Sequence, residues 1–323
     1  MTESLGMQTL ERLLAEVWGG APISLTPLAG GTVNRVWRID RGDEAFVLRI
    51  APSDAEADAG PSWLTSRGLR RELAAIALLA ELREVLPETI HADLSREVIA
   101  SDWVVQRLVP GHAWSEVDAS LTADQRVDLW RQTGALCRRI HAVTSPTFGP
   151  AGEAMFARWS DLLVHDAAGF VADADRFALD PALMTRLADA IAYHRATLDL
   201  VTTGSLIHSD LGPRHLFVAP DADGRFTITG VIDLEFARFA DPMSESVIEL
   251  FGMLPHDPAH EAAFWEGYGS RAAIPGEAIR ATLHEAIVLG WTLSDVARLG
   301  QRDQIASLAG ELIARLDRLD ATG

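Results

Sequence analysis

The chain has 323 residues, 48% of them hydrophobic, with 46 acidic against 28 basic side chains and a net charge of −18. That length and apolar content suit about two domains with a sizeable core, and the sign of the charge argues against a nucleic-acid backbone or an anionic membrane as partner. All 28 basic residues are arginine, so a Walker A loop, Schiff-base chemistry and a Ser-Lys hydrolase are excluded, because each needs an ammonium group. The single cysteine, Cys137, cannot form an internal disulfide and suits a reducing compartment. Met1 to Gly6 carry no basic cluster, and the apolar stretches Ala74 to Ala80 and Ala286 to Leu293 fall far short of the ~20 residues that cross a bilayer. A cytoplasmic location with no membrane contact is the expectation.

In chain order, an amphipathic helix around Leu10 to Val17 comes first. ISLTPL, VNRVWRID and AFVLRI over 23–50, broken by AGGT and RGDE, predict three antiparallel strands. A loop over 51–66 precedes a helix over Arg70 to Leu82, with Leu69, Leu73, Ile76, Leu79 and Leu82 at helical spacing. Two more strand-like runs, Ile90 to Leu94 and Trp103 to Leu108, end at Val109-Pro110-Gly111, where a domain boundary is expected: 1–108, then 109–323. Beyond it the pattern is helical. Thr122 to Gln125 forms a capping box for a helix to about Ala142, and Asp180-Pro181 and Asp257-Pro258 read as helix starts. One strand-like insert interrupts the helices, Leu206 to Ile232 around the turn DADG. The expected class is α+β: a small antiparallel sheet with one helix, then a larger helical lobe.

The insert carries the chemistry. If its strands form a hairpin over DADG, His215 and Asp233 meet at one end, with Asp210 in the loop just before. Carboxylates and an imidazole converging there suit Mg²⁺ shared with substrate phosphates, since Mg²⁺ rarely has a full protein cage.

These residues resemble a known family. HSDLGPRH, 208–215, looks like the catalytic loop H-x-D-x-x-x-x-N of the aminoglycoside phosphotransferase and choline kinase superfamily, VIDLE (231–235) like its metal-binding strand end, and Ala240-Asp241-Pro242 like the G-D-P that follows. Leu28 to Arg38 resembles its nucleotide loop, Phe46 to Arg49 its third strand and Arg71-Glu72-Leu73 its lobe-bridging helix. These motifs, in order across 28–242, imply a two-lobed protein-kinase-like fold and a Mg²⁺-dependent small-molecule O-phosphotransferase using ATP or GTP.

Carried over by position, Asp210 would take the acceptor's proton and Asp233 would bind Mg²⁺. His215 stands where the family has asparagine, a substitution associated with macrolide phosphotransferases and aminoglycoside 2''-phosphotransferases, and would be the second ligand. Arg49 stands in place of the phosphate-contacting lysine, with Glu72 to orient it. Gly30, Gly31, Thr32 and Asn34 would approach the phosphates, and Gln106 and Leu108 would complete the nucleotide side. His208 reads as a hydrogen-bonding residue of the catalytic loop rather than a base, and Arg214 as a phosphate contact or a solvent-facing charge. Cys137 is expected to be a buried, inert thiol, and Trp18, Trp63, Trp130 and Trp159 to pack in the core.

The acceptor is expected against the helices after Asp241. Glu235, Glu245, Glu249, Asp257, Glu261 and Glu266 would suit a cationic, amino-sugar-like antibiotic, while Phe251, Met253, Phe264, Trp265, Tyr268 and Trp291 would suit a macrolide or nucleoside-like compound. Other readings remain: a catalytically silent nucleotide-binding protein, a primary-metabolite kinase, or a phosphoesterase using His208, Asp210, His215 and Asp233.

Overall fold

The computed structural model describes residues 6–20, 24–28, 33–153 and 155–322. Helix α1 (Met7–Trp18) packs on a five-stranded antiparallel sheet of β1 (Ser24–Pro27), β2 (Arg35–Arg41), β3 (Glu44–Ile50), β4 (Thr89–Asp93) and β5 (Trp103–Arg107), in the order β1-β2-β3-β5-β4. Leu10, Leu13 and Leu14 of α1 meet Ile39, Phe46, Leu48, Ile50, Trp103 and Val105. Because strand side chains alternate, Arg49 lies on the opposite face of β3 from Leu48 and Ile50.

The segment expected as a loop contains a short helix, α2 (Asp54–Ala59). Ser53 and Glu56 cap it reciprocally, so a local capping box outweighs the loop-like composition. The expected helix over 70–82 is α3 (Gly68–Leu78), followed by a 3₁₀ turn at Ala80–Leu82, because Leu79 leaves the helical region at φ −98° and ψ 29°.

The remainder is β6 (His112–Ala113), α4 (Trp114–Val117), α5 (Ala123–His141), β7 (Thr144–Ser145), β8 (Gly149–Pro150), α6 (Trp159–Phe177), α7 (Pro181–Tyr193), α8 (Arg195–Leu198), β9 (Gly204–Ile207), β10 (Leu216–Pro220), β11 (Phe226–Val231), β12 (Arg238–Ala240), α9 (Ser246–Met253), α10 (Pro258–Tyr268), α11 (Glu277–Arg298) and α12 (Ile305–Asp320). The α5 capping box and the caps at Asp180 and Asp257 are present. The strand-like insert divides between two sheets. β10 and β11 form the hairpin, extended by β6, whereas β9 joins β7, β12 and β8. The partners β6, β7, β8 and β12 are two or three residues long, too short for a period-two pattern to reveal.

Helices α5 and α10 touch backbone to backbone. A Cβ on Gly134 would lie 1.9 Å from the Phe264 carbonyl oxygen, and one on Gly267 1.9 Å from that of Arg131. This contact sets α5 beneath the segment between β9 and β10, where the candidate site lies.

Candidate active site

Register brings the site together. Leu216 pairs with Val231 across the β10–β11 hairpin, so His215 and Ile232 leave it side by side, with the Ile232 N–H on the His215 carbonyl at 3.0 Å. His215 Nε2 then lies 3.6 Å from Asp233 Oδ2, and its Nδ1 lies 3.6 Å from Asp210 Oδ2. Nδ1 also sits 2.7 Å from the Asp210 carbonyl oxygen, an acceptor only, so Nδ1 donates there and Nε2 is the nitrogen that faces Asp233. An imidazole nitrogen and a carboxylate oxygen 3.6 Å apart are a donor set that fits a divalent cation.

Asp233 (φ 70°) and Ser209 (φ 70°) both adopt the left-handed backbone region, which is uncommon for residues with a side chain. Asp233 is held from both sides, with Oδ1 2.6 Å from Arg49 Nη2. The other terminal nitrogen of Arg49 reaches Glu72 at 2.5 Å, and Gln106 Nε2 donates to the second Glu72 oxygen at 2.8 Å. Burial opposes the charge on Arg49, but Glu72, Asp233 and Glu235 more than offset it and raise its pKa further. Buried Arg49, Glu72 and Gln106 and half-buried Asp233 thus form one chain from the first sheet to the hairpin. Leu108 lies beyond it, its N–H on the Ala45 carbonyl at 3.0 Å.

Asn34 donates to Glu235 at 2.7 Å. Glu235 is buried against α3, where a Cβ on Gly68 would lie 2.6 Å from its Oε2. Burial and neighbouring Asp233 push its carboxyl up to about 8. Gly30, Gly31 and Thr32 lie outside the described residues.

His208 is fully buried. The Asp210 N–H approaches its Nδ1 at 3.2 Å, and Nε2 donates to the Ile232 carbonyl at 2.9 Å, so both ring nitrogens are engaged with backbone. Arg214 is exposed and close enough to lower the Asp210 pKa. Burial has the larger, opposite effect, and the Asp210 carboxyl ends above its ordinary range.

Beneath this segment, buried Glu245 accepts the N–H groups of His208 at 2.7 Å, Ser209 at 3.0 Å and Ser246 at 3.0 Å. Burial would raise its pKa, but His141, with Nε2 3.5 Å away, and these donors lower it. His141 Nδ1 lies 3.0 Å from the Tyr268 hydroxyl. Cys137 is buried 3.4 Å from His141 Nε2, its thiol pushed well up by burial and by Glu245.

Asp241 is fully buried and accepts from equally buried Arg280 at 2.8 Å. Of the six carboxylates expected to face an acceptor, Glu235 and Glu245 are committed inside. Asp257 caps α10, Glu261 accepts from Trp265 at 3.3 Å and contacts His256, and Glu266 pairs with Arg131 at 3.1 Å. Glu249 alone is left facing a pocket, which lies beside Ser209 and is also lined by Trp159, Arg238, His284 and Trp291. Phe264 and Tyr268 belong to the core.

The model of the phosphotransferase enzyme family matches residues 24–283. The chain belongs to that family. No curated protein sequence matches this phosphotransferase significantly. Among solved structures it is similar to aminoglycoside phosphotransferase APH(4)-Ia, with a TM-score of 0.67 and 19% identity over 97% of this chain and 99% of that one. A thermostable mutant of APH(4)-Ia in ternary complex with AMP-PNP and hygromycin B gives 0.66 and 19% over 98% and 100%. Aminoglycoside 2'-phosphotransferase-IIIa with GDP gives 0.64 and 19% over 98% of this chain and 99% of that one. These likenesses show the fold, the α+β kinase-like architecture expected from the sequence. Among the described residues of this phosphotransferase, no helix is long and apolar enough to cross a membrane.

His141 and the Arg238–Asp166 pair (2.8 Å) are parts of the site region that sequence reasoning did not place, and Glu245, expected to face an acceptor, instead holds the N–H groups of His208 and Ser209 from within. These contacts are set by tertiary packing.

Proposed function

We propose that this phosphotransferase moves the γ-phosphoryl group of ATP or GTP to a hydroxyl of a small molecule, with Mg²⁺ held by His215 and Asp233. The hydroxyl oxygen forms a bond to the γ-phosphorus as the bond from that phosphorus to the bridging oxygen breaks. The hydroxyl proton passes to Asp210, and the nucleoside diphosphate leaves. Burial raises the Asp210 pKa above that of a free carboxylate, which makes it a stronger proton acceptor. Bound at His215 and Asp233, Mg²⁺ would neutralise negative charge on the phosphates. Arg49 orients the phosphates from its anchor on Glu72, Asn34 and the loop before it line the nucleotide, and Arg214 adds positive charge. His208 is a positioning residue, since both its nitrogens hold the turn around Asp210.

Residues 1–108 then serve the nucleotide and 109–323 the acceptor. The solved neighbours that hold AMP-PNP, ADP or GDP, and hygromycin B or kanamycin, support a nucleotide donor and a small-molecule acceptor here. An antibiotic acceptor, and so a role in resistance, is the reading they favour.

The observation that carries the proposal is His215 Nε2 facing Asp233 Oδ2 at 3.6 Å. Its test is a pair of variants. His215→Asn keeps a donor and is expected to retain measurable Mg²⁺-dependent turnover, with Mn²⁺ favouring wild type because it accepts nitrogen more readily. His215→Ala is expected to lose it. Wild-type activity in His215→Ala across a Mg²⁺ titration would remove His215 from the metal site.

A further inference from the structure

Between β3 and α3 the chain leaves the first sheet and reaches across to α6, where Ser62 makes the contact. Its N–H lies 2.9 Å and 3.0 Å from the two carboxylate oxygens of Asp173, and its hydroxyl donates to Oδ2 at 2.9 Å. Asp173 is only 2% exposed, so Ser62 is what satisfies a buried carboxylate on α6. Arg176 donates to the Gly60 carbonyl. Gly169, Asp173 and Arg176 follow one another at intervals of four and three and so share one face of α6. Gly169 shows how close the approach is, since a Cβ there would lie 2.4 Å from Ser62 Oγ and 2.6 Å from Ser62 Cβ. Glycine is less stable than alanine inside a helix, and the seat of Ser62 is what excludes a side chain here.

The next residues extend the contact toward the candidate site. The Trp63 ring meets that of Phe236 edge-on, with 5.7 Å between centres, and the Arg298 guanidinium lies 5.6 Å from the Trp63 ring centre. Helix α3, which begins at Gly68, is fixed to the sheet: Arg70 holds buried Asp102 at 2.7 Å and 2.8 Å, and Glu72 holds Arg49 and Gln106. Sheet and α3 are thus one unit. Along with the Arg71–Glu153 pair (2.5 Å), residues 60–66 tie that unit to the helical part of the molecule, and the unit carries Arg49 over Asp233.

We propose that Asp173 is a positioning residue: by seating Ser62 on α6 it sets the sheet and α3, and with them Arg49, over Asp233. The consequence for nucleotide binding rests on the phosphotransfer reading above, whereas the anchoring itself does not.

Three variants of the full chain test it. Asp173→Ala removes both acceptors. Gly169→Ala puts a methyl group where Ser62 sits while favouring the helix, so its effect cannot come from a weakened α6. Asp173→Asn keeps an acceptor for the Ser62 N–H and offers its NH₂ to the hydroxyl, which can accept as well as donate. Spin labels at exposed Asp43→Cys, in the turn between β2 and β3, and Asp189→Cys, on α7, read the placement of the sheet without nucleotide, because native Cys137 is buried and α7 packs on α6. Calorimetry with Mg²⁺ and ADP or GDP reads affinity. Both alanine variants are expected to broaden the distance distribution and to weaken nucleotide binding about tenfold, the worth of one charge-assisted hydrogen bond, with Asp173→Asn matching wild type in both. An unchanged distribution in the alanine variants, wild-type nucleotide affinity despite broadening, or an Asp173→Asn that behaves as Asp173→Ala overturns the inference. Broadening in the alanine variants with no nucleotide binding even by wild type sustains the anchoring and counts against the phosphotransfer reading alone.

Discussion

Glu245→Gln isolates what holds the Asp210 segment in place. The carboxylate accepts from the N–H groups of Ser209 and Ser246 on one oxygen and from that of His208 on the other. Glutamine supplies one carbonyl oxygen, so if that keeps Ser209 and Ser246, its NH₂ faces the His208 N–H, donor against donor. One buried N–H left without an acceptor costs about 1–3 kcal/mol. His141, with Nε2 3.5 Å away, also loses its carboxylate partner. Thermal unfolding should therefore show a fall of several degrees. Since the His208 N–H anchors the turn two residues before Asp210, the acceptor-side geometry loosens, and a displacement near 1 Å can cost about 10²-fold in kcat. Nucleotide affinity, which the proposed function assigns to Arg49 and Asp233, should change little. If Glu245→Gln melts with wild type and turns over at the wild-type rate, this carboxylate does not hold the segment.

Asp210→Asn is expected to lower kcat by about 10²–10⁴ while leaving nucleotide affinity within a few-fold, checked by steady-state kinetics and calorimetry. Arg49→Lys should destabilise the nucleotide-free protein by about 1–3 kcal/mol in denaturant unfolding, because one ammonium cannot bridge Glu72 and Asp233 as two guanidinium nitrogens do. For Glu235, whose folded pKa of about 8 lies above its ordinary 4.5, the fold binds more protons than the unfolded chain between those values, so its contribution to stability falls as pH rises through that window. Glu235→Gln, which cannot ionise, should gain stability relative to wild type from pH 5 to pH 8. A difference between the two that stays constant with pH would show that Glu235 is not held protonated.

Where the signal was local, the sequence was readable. Alternation in VNRVWRID and AFVLRI located β2 and β3, the capping box at Thr122 located α5, and the DADG turn implied the hairpin that juxtaposes His215 with Asp233. What stayed hidden depends on partners far along the chain. Nothing near Glu245 signals that it turns inward to the N–H groups of His208 and Ser209, some 36 residues away, rather than outward to an acceptor. Similarly, the acidic residues after Asp241 suggested a cation site, but Asp257, Glu261 and Glu266 are taken by a helix cap, a His256 contact and an arginine. Composition counts charges and cannot say which are already neutralised.

On the proposed function, a chain without lysine would build its phosphate contact from a guanidinium, and the surroundings of Arg49 suit that choice. A guanidinium has five donors in a fixed plane, so it can stay on Glu72 with one nitrogen while the other changes partners. That second nitrogen rests on Asp233 Oδ1, leaving Oδ2 turned to His215. The contact pairs Asp233 with a positive charge of the protein's own, which offsets the cost of a carboxylate beside Glu235 and Asp210. On the proposed function, the same nitrogen would pass from the carboxylate to a phosphate oxygen, because both are oxyanions that accept the same donor. That exchange would keep the number of charge-assisted hydrogen bonds on Arg49 constant. The bond to Glu72 would keep the arginine on the sheet, so the group that releases Asp233 would be the one positioned to meet the phosphate.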